Sequence, residues 1–250
     1  MRSVDLGSDL GEGAGTEAAL MPLISSANIA CGAHAGDPAT MRATVAQALA
    51  HGVRIGAHPG YRDRAGFGRR SLDLPPVELA ADLREQIDAL RAVAAAVGAR
   101  VTQVKAHGAL YNQGERDDRI ASLIARVIAE LDADLAVVAT PGSAMARAAI
   151  AARVPLIREG FIDRVYEPDG TLRSRALPGA MLLDPERAAA QALGFVRDGG
   201  VRATDGSFLT LPVDTLCIHG DSPGAVEIAR AVRQAFDDAA IVVCAPPRAG

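Results

Sequence analysis

The chain has 250 residues, of which 49% are hydrophobic and 22% are charged, so it can bury a folded core and is not disordered. Its formal net charge of −4 is not concentrated in any block of like charges, which argues against nucleic acid as the main partner. No secretory signal opens the chain, no apolar run approaches the roughly 18 residues of a membrane span, and the cysteines lack C-x-x-C spacing, so we expect a cytoplasmic protein without a membrane segment.

Short β-branched runs alternate with longer stretches rich in alanine and leucine along the whole sequence. The predicted strands lie near 3–6, 53–57, 101–105, 135–139, 154–158 and 214–218, with weaker candidates near 179–183 and 241–244. The predicted helices cover 38–51, 77–97, 117–131, 142–152, 185–197 and 223–238. This alternation predicts a parallel sheet covered by helices. Because no linker or shift in composition divides the chain, we expect residues 1–250 to form a single domain.

Residues with strong positional preferences mark several helix ends. The longest predicted helix, 77–97, has Pro76 at its start and Gly98 directly after its end, the usual asymmetry between the two ends of a helix. Asp37 and Asp184 each precede a proline and are predicted to be N-caps. His51 follows a helix and is predicted to cap its carboxyl end.

Four of the five histidines, His34, His58, His107 and His219, lie in turns that follow predicted strands. Each has a glycine beside it or one residue away, which allows close approach of the backbone to a ligand. Barrels build their active sites from many loops at the carboxyl ends of their strands, whereas an open sheet uses fewer. The sequence therefore favours a barrel with a site at this end.

Lys105 is the single lysine among 26 fixed cations, the others being arginine. Lysine is a compact charge whose pKa falls readily on burial, whereas arginine is a rigid fork that stays charged. The use of arginine at every other cationic position predicts that position 105 has a role that a guanidinium cannot fill. The alternative is that one lysine escaped the bias by chance.

Acidic residues follow the first predicted strand. If that strand continues to residue 9, Asp5 and Asp9 share one face of it. Asp9 is a candidate general base or metal ligand, or else a loop cap. Together with His34 and His58 it would make a mixed carboxylate–imidazole site for zinc or another divalent ion. No H-E-x-x-H, H-x-x-x-H or H-x-H pair accompanies these residues.

Three further motifs are each open to two interpretations. Cys31 lies three residues before His34 and is either a nucleophile or, more commonly for such a residue, a small buried side chain. The loop 66–70, G-F-G-R-R, suits a carboxylate or phosphate, or is simply solvated. It lacks the pattern of a P-loop, and no G-x-G-x-x-G is present, so no standard nucleotide fold is indicated. Asp163 and Arg164 are interpreted as an internal ion pair.

The segment H-G-D-S-P places His219 and Asp221 directly before a predicted helix. Ser222 and Pro223 are expected to begin that helix, so the segment offers a base, a carboxylate partner for it and free N–H groups for an anion.

Together these motifs resemble one family. The strings that carry the resemblance are D-L-x-x-D-L-G-E, S-S-A-N-I-A-C-G-A-H-A-G-D-P, G-A-H-P-G-Y-R-D, G-F-G-R-R, V-K-A-H-G-A-L-Y-N, F-I-D-R-x-Y, D-G-x-L-x-x-R and H-G-D-S-P. From residue 4 to about residue 238 the chain resembles the LamB/YcsF family. The resemblance implies an α/β fold, a deformed (β/α) barrel of the glycoside hydrolase/deacetylase type. It also implies membership of prokaryotic 5-oxoprolinase, in which the family is the A subunit beside B and C subunits.

That enzyme opens the lactam of 5-oxo-L-proline to L-glutamate with ATP as co-substrate. The expected chemistry is phosphorylation of the lactam oxygen, followed by attack of water on the activated carbon. The candidate catalytic residues are Asp9, Lys105, His107, His219 and Asp221. The candidate substrate-binding residues are Glu12, Asn28, His34, His58, Arg69, Arg70, Tyr111 and Asn112.

Roles within this set are hypotheses. Asp9 or His219 would act as the base, and Lys105 would stabilise developing negative charge or phosphate. Arg69 or Arg70 would bind the substrate carboxylate, and the remaining histidines would orient water or substrate.

The chain departs from the family pattern at four positions. Gly7 and Ser8 replace an asparagine and a cysteine, Ala106 replaces a proline, and Ala14 replaces a phenylalanine. A thiol at position 8 is therefore not essential if this chain is active.

Two other functions remain open at this point. One is a metal-dependent amide or N-acetyl hydrolase of the deacetylase type that works without ATP and binds a divalent ion at Asp9, His34 and His58. The other is a non-catalytic subunit that binds 5-oxoproline for its partners.

Overall fold

A computed structural model of the chain describes residues 2–246. The strands are β1 (Arg2–Leu10), β2 (Ser26–Ala30), β3 (Arg54–His58), β4 (Val101–Val104), β5 (Ala136–Ala139), β6 (Leu156–Phe161), β7 (Gly200–Arg202), β8 (Phe208–Thr210), β9 (Thr215–His219) and β10 (Ile241–Val243). The α-helices are α1 (Glu17–Leu20), α2 (Pro38–Ala50), α3 (Pro76–Ala95), α4 (Gly108–Gly114), α5 (Asp118–Leu131), α6 (Ala144–Ala151), α7 (Pro185–Arg197) and α8 (Ala225–Asp238). Short 3₁₀ turns cover Met21–Leu23 and Arg64–Gly66.

Seven parallel strands close into a barrel in the order β1-β2-β3-β4-β5-β6-β9, with β9 pairing back onto β1. The first strand changes partner along its length, pairing with β10 through residues 2–4 and with β9 through residues 5–9. The tenth strand therefore lies outside the closed ring. The fold class predicted from the sequence, a deformed (β/α) barrel, is confirmed. The extent of a single domain over residues 1–250 stays a prediction.

Most predicted strands are present, but one barrel strand was missed and one candidate is wrong. The missed strand is β2, whose sequence S-A-N-I-A is rich in residues with weak β propensity although all five are buried. The candidate near 179–183 is not a strand, since only Met181 pairs there, in a single bridge to Arg164. The helices α1 and α4 and the β7–β8 hairpin were also absent from the sequence prediction.

Two predicted N-caps and one predicted C-cap are confirmed. The carboxylates of Asp37 and Asp184 accept hydrogen bonds from the backbone N–H three residues further on, and His51 occupies the C-cap of α2. The predicted start of the last helix is wrong: α8 begins at Ala225 behind Gly224, which has a φ of 74°. Among residues 2–246 we find no helix with the length and apolar character needed to span a membrane.

The interior of the barrel is polar on the face that carries Asp5 and Asp9. Because β1 extends to Leu10, these two carboxylates share a face as predicted. Asp5 is buried and accepts hydrogen bonds of 2.6 Å from the hydroxyls of Ser25, Ser26 and Thr215. Burial raises the pKa of Asp5, and the three hydroxyls partly oppose that rise. One end of the barrel interior is thus filled by a hydrogen-bonded carboxyl group rather than by apolar side chains.

A second polar layer lies at Asp9, four residues after Asp5 along β1. The strand register aligns Asp9 with Asn28, Asn28 with Gly56, and Gly56 with Gln103. The amide of Gln103 donates to Asn28 Oδ1 at 2.9 Å, and that of Asn28 donates to Asp9 Oδ1 at 3.0 Å. Gly56 leaves the space in which the two amides meet. The layer therefore orients Asp9 from three neighbouring strands.

We predict that Gly56→Ala destabilises the fold and disturbs this layer. An added Cβ would lie 2.6 Å from Gln103 Cγ and 2.7 Å from Asn28 Oδ1, both on buried side chains. Overpacking of this kind lowers the free energy of unfolding by about 1–3 kcal/mol. Urea unfolding followed by circular dichroism measures the loss. The control is Gly194→Ala in α7, where an added Cβ would lie 3.3 Å from its nearest neighbour, Gly200 O. There the free energy of unfolding should change by less than about 1 kcal/mol. Equal behaviour of the two variants would contradict the prediction.

Candidate active site

A cavity of about 500 Å³ opens at the carboxyl ends of the barrel strands. Ten of the thirteen candidate residues from the sequence line it: Asp9, Glu12, His58, Arg69, Lys105, His107, Tyr111, Asn112, His219 and Asp221. Asn28 and His34 do not line the cavity but hydrogen-bond to Asp9 and Glu12, which do. Arg70 is separate from this group, because its guanidinium pairs with Asp63 on the loop that carries both residues. The strand ends thus converge on one site, as the histidine turns indicated.

The ammonium of Lys105 lies inside the barrel with three protein partners. Its Nζ is 3.0 Å from both oxygens of Asp9, 2.8 Å from Glu159 Oε1 and 3.1 Å from Cys217 Sγ. Lysine has three N–H donors, and all three have a partner here. In this arrangement no ammonium hydrogen remains for a ligand. The role predicted from the sequence, direct stabilisation of developing charge or phosphate, would require a ligand to displace one of these partners, whereas orienting Asp9 requires no rearrangement.

Burial and charge together set the protonation of this group. Burial alone would lower the pKa of Lys105, but Asp9, Cys217 and Glu159 raise it well above its ordinary value. Burial alone would raise the pKa of Asp9, but Lys105 and its other neighbours lower it below the ordinary value. Burial raises the pKa of Glu159, and one ammonium shared with Asp9 does not reverse that rise. The site thus holds an ammonium and an ionised Asp9.

Glu12, His34, His58 and His107 form a second cluster, in which four ligand atoms lie within 4.8 Å of one another. Glu12 Oε1 is 3.0 Å from His34 Nε2, 3.7 Å from His58 Nε2 and 3.1 Å from His107 Nδ1. His58 Nε2 and His107 Nδ1 are 3.0 Å apart. In a tetrahedral zinc site, bonds of about 2.0–2.1 Å place neighbouring ligand atoms about 3.3 Å apart. The four distances in the cluster, from 3.0 to 3.7 Å, lie on either side of that value.

The outer nitrogens of two histidines fix which ring atom faces the cluster. His58 Nδ1 is 2.7 Å from Lys105 O, and His107 Nε2 is 2.8 Å from Phe67 O. A carbonyl only accepts, so these nitrogens carry the protons and the lone pairs point inward, as in metal-ligating histidines. Burial lowers the pKa of His58 to about 3, which keeps the ring neutral. Two lone pairs and the Glu12 carboxylate then face one another without a proton between them.

That arrangement is suited to a divalent cation. The donor set is three imidazoles and one carboxylate, which is typical of zinc and related ions. It differs from the set proposed from the sequence, because Glu12 and His107 join His34 and His58 whereas Asp9 does not. Asp9 Oδ2 is 3.5 Å from His58 Nε2, but Lys105 and Asn28 already hold its oxygens.

The loop 66–70 forms one wall of the histidine cluster. Phe67 adopts a left-handed backbone with a φ of 53°, and its carbonyl and ring both contact His107. A Cβ at Gly68 would lie 2.8 Å from His34 Cβ and 2.9 Å from His107 Cδ2. The glycine therefore allows the loop to pack against two rings that stack with centroids 3.6 Å apart. This packing holds the histidines in position.

His219 and Asp163 form a pair on the opposite side of the cavity. Asp163 Oδ1 is 2.9 Å from His219 Nδ1, and Asp163 Oδ2 accepts from the His219 backbone N–H and the Ser222 hydroxyl. Burial would raise the pKa of Asp163, but the bonds from His219 and Ser222 lower it, so the carboxylate is ionised. Since a carboxylate only accepts, Nδ1 carries the proton and Nε2 is left for a ligand. The geometry is that of an oriented acid–base group.

This pairing corrects three interpretations made from the sequence. Asp221 is not the partner of His219, because its carboxylate pairs with Arg69. Asp163 and Arg164 do not form an ion pair, because Asp163 bonds His219 while Arg164 donates to the carbonyls of Ala180 and Arg173. Ser222 does not cap α8, because its hydroxyl is committed to Asp163.

Four buried neighbours of the site were not among the sequence candidates: Glu159, Asp163, Arg164 and Cys217. The strand L-I-R-E-G-F contains two adjacent charged residues, which point to opposite faces, so one of them is expected to face the interior, a usable signal for Glu159. No such signal existed for Cys217, which has the sequence surroundings of an ordinary core residue. Cys31 is buried, and burial raises the pKa of its thiol to about 12, which favours the structural interpretation over the nucleophile.

Comparison with known proteins identifies the family to which the chain belongs. The family model described as the LamB/YcsF family matches residues 4–249. The chain belongs to the LamB/YcsF family. A curated relative from Symbiobacterium thermophilum, named as the A subunit of 5-oxoprolinase, is 49% identical over 98% of this chain and 96% of its own length.

Solved structures agree with the fold of this LamB/YcsF protein. The lactam utilization protein from Thermus thermophilus is 44% identical, superposes with a TM-score of 0.92, and is covered over 99% of its length by 97% of this chain. A T48 deacetylase with substrate has a TM-score of 0.52 at 14% identity, with 98% of this chain and 88% of that chain covered. The second likeness concerns the fold alone.

Two departures from the family pattern are now located in this LamB/YcsF barrel. Ser8 points to the face of β1 opposite Asp9, and its hydroxyl donates to Ile218 O at 2.8 Å. A thiol at that position would therefore face away from Asp9. Gly7 is on the Asp9 face, where a Cβ would lie 2.8 Å from Ser26 Oγ, so a larger residue requires a different interior.

We predict that Lys105→Met lowers the free energy of unfolding by about 3–5 kcal/mol at pH 8, because it leaves buried carboxylates without their cation. Without the ammonium, the pKa values of Asp9 and Glu159 rise in the folded state. A carboxyl group with a raised folded pKa is destabilising at high pH and is relieved as the pH falls. Urea unfolding at pH 8 and pH 5 should therefore show a smaller loss at pH 5.

The control for this variant is Arg100→Met. Arg100 is an exposed cation 3.8 Å from Asp132 at the surface, and its removal should cost no more than about 1 kcal/mol at either pH. A loss for Lys105→Met that does not depend on pH would mean that the buried carboxylates are not the cause.

Proposed function

We propose that this protein is the A subunit of a 5-oxoprolinase that opens 5-oxo-L-proline to L-glutamate with ATP hydrolysis, together with B and C subunits. The observation that carries the proposal is 49% identity over nearly the whole of both chains to a relative with that name. The lactam utilization protein that shares the fold at 44% identity supports the same substrate class. The word subunit in the relative's name supports work within a complex.

In the proposed reaction, ATP transfers its γ-phosphoryl group to the lactam oxygen and leaves as ADP. A first water attacks the activated carbon, the C–N bond breaks to open the ring, and a second water hydrolyses the resulting acyl phosphate to glutamate and phosphate. A five-membered lactam is a stabilised amide, so coupling to ATP makes the opening favourable. Nothing in the described fold resembles a standard nucleotide site, so the proposal leaves ATP binding to the assembled complex. The contribution assigned to this chain is the lactam site itself.

We further propose that Glu12, His34, His58 and His107 hold a divalent metal ion. The support is the inward-facing lone pairs and the ligand spacing described above. A bound zinc-type ion would supply a Lewis acid for the lactam carbonyl and lower the pKa of an attacking water.

His219 is proposed as the general acid–base residue, with Asp163 as its orienting carboxylate. Its Nε2 faces the cavity and its Nδ1 proton is held by Asp163, so it can take a proton from water and deliver one to the lactam nitrogen as that nitrogen leaves. Asp9, held ionised by Lys105 at the cavity wall, is proposed to orient the substrate N–H or water. Lys105 is then a positioning residue.

We expect the chain to bind one divalent ion in the cluster, with affinity reduced at least 100-fold by His58→Ala. Titration with Co²⁺ should produce the visible absorption of a four-coordinate ion in the wild type. His51→Ala, which alters a helix cap remote from the cluster, should leave the spectrum and the affinity unchanged. Equal binding by the two variants would remove the metal from the proposal.

For the reaction, we expect release of glutamate from 5-oxo-L-proline that depends on ATP and on the B and C subunits. His219→Asn should lower kcat by 10²–10⁴-fold with the fold intact, since it removes the acid–base group. Gln234→Ala, a surface change on α8, serves as the matched control. A wild-type complex without turnover, combined with hydrolysis of other amides by the chain alone and its loss with a chelator, would instead support a metal-dependent amide hydrolase.

A further inference from the structure

The outer part of the cavity is rich in arginine, with Arg69, Arg116, Arg164 and Arg175 among its lining residues. Arg69 pairs with Asp221. Within residues 2–246, the other three have no carboxylate oxygen at salt-bridge distance. Two of them, Arg116 and Arg175, are exposed cations, whereas Arg164 is buried.

Arg164 has an unusual environment for a guanidinium. It is 7% exposed, and its hydrogen bonds go to two neutral acceptors, Ala180 O from Nε at 3.4 Å and Arg173 O from Nη2 at 2.7 Å. Nη1 makes no hydrogen bond to any residue in the described part of the chain. The edge formed by Nη1 and the second hydrogen of Nη2 is therefore available at the cavity.

A buried cation without a counterion is costly, so the surroundings of Arg164 call for an anion. Burial and the nearby Arg175 lower the pKa of Arg164 to about 10, with a smaller contribution from Arg69. Asp163 opposes this fall through its charge, but its oxygens are already committed to His219 and Ser222. Positive charge thus accumulates at a cavity wall where none of the carboxylates within residues 2–246 is free to balance it.

We propose that Arg164, assisted by Arg175, is the subsite that binds the carboxylate of the substrate. A free guanidinium edge matches the two oxygens of a carboxylate in a bidentate pair. The identity of the ligand as the carboxylate of 5-oxo-L-proline rests on the proposed function, whereas its class, a small oxyanion, rests on the cavity itself. The subsite differs from both candidates in the loop 66–70, because Arg70 lies outside the cavity and the guanidinium of Arg69 is paired with Asp221. It also places the carboxylate next to the segment F-I-D-R, which carries Asp163.

The test is calorimetric titration of the full chain, at constant ionic strength, with 5-oxo-L-proline, with 2-pyrrolidinone, which is the same lactam without the carboxylate, and with inorganic phosphate. The wild type should bind 5-oxo-L-proline at least tenfold more tightly than 2-pyrrolidinone. Arg164→Met should remove that difference, and Arg164→Lys, which keeps the charge but not the fork, should recover only part of it.

Two further variants test the subsite even if replacing the buried Arg164 disturbs the fold. Arg175→Gln changes an exposed side chain and should weaken binding of 5-oxo-L-proline several-fold. Arg70→Gln, outside the cavity, should change nothing. Thermal melts of each variant establish that the fold is retained.

Several results would overturn the proposal. These are equal affinity of Arg164→Met and Arg70→Gln for 5-oxo-L-proline, equal binding of the two lactams by the wild type, or no binding of either lactam. Phosphate that binds more tightly than 5-oxo-L-proline, and is lost in Arg164→Met, would assign the subsite to a phosphoryl group instead.

The proposed function is tested separately, in the glutamate-release assay. Binding through Arg164 without turnover by the complex would retain the subsite and reject the function. Turnover by the complex with a KM for 5-oxo-L-proline that Arg164→Met leaves unchanged would retain the function and reject the subsite.

Discussion

The site depends on one buried ammonium. Lys105 follows β4 and contacts side chains from β1, β6 and β9, so a single charge joins strands from both sides of the closed ring. A guanidinium is larger and planar and presents its donors as a rigid fork, which does not suit three partners arranged around one point. The sequence bias towards arginine at every other fixed cation is consistent with this constraint. Asp9 is ionised and oriented because this charge is present.

Around that centre the barrel separates two kinds of chemistry. The cluster of Glu12, His34, His58 and His107 is built from the first four strands and their loops, and it offers lone pairs to a cation. The His219–Asp163 pair comes from β9 and the end of β6, and it offers a proton carrier. The cavity lies between them. With the proposed divalent ion in the cluster, a substrate bound in the cavity would meet a Lewis acid on one side and an acid–base group on the other, an arrangement suited to amide chemistry.

The sequence predicted the class of fold and the residues that converge, because strand ends and histidine turns are local patterns. It did not predict which side chains pair with one another. His219 was matched with Asp221, two residues away, whereas the barrel brings Asp163 from another strand. Asp9 was assigned to the metal ligands, whereas Glu12, three residues later, is the carboxylate that clusters with the three histidines. Arg164 was paired with its neighbour Asp163, and β2 was missed because burial rather than propensity makes it a strand. Each error concerns contacts between segments distant in sequence.

The position of Cys217 has a practical consequence. Its thiol lies inside the barrel beside Lys105, and burial raises its pKa well above the ordinary value, whereas Cys244 is exposed. An alkylating reagent should therefore label Cys244 from the native state, but Cys217 only when the ring of strands opens. The protein thus carries an internal reporter of local unfolding next to its own site, and the labelling rate of one cysteine would show how strongly a bound ligand closes the barrel.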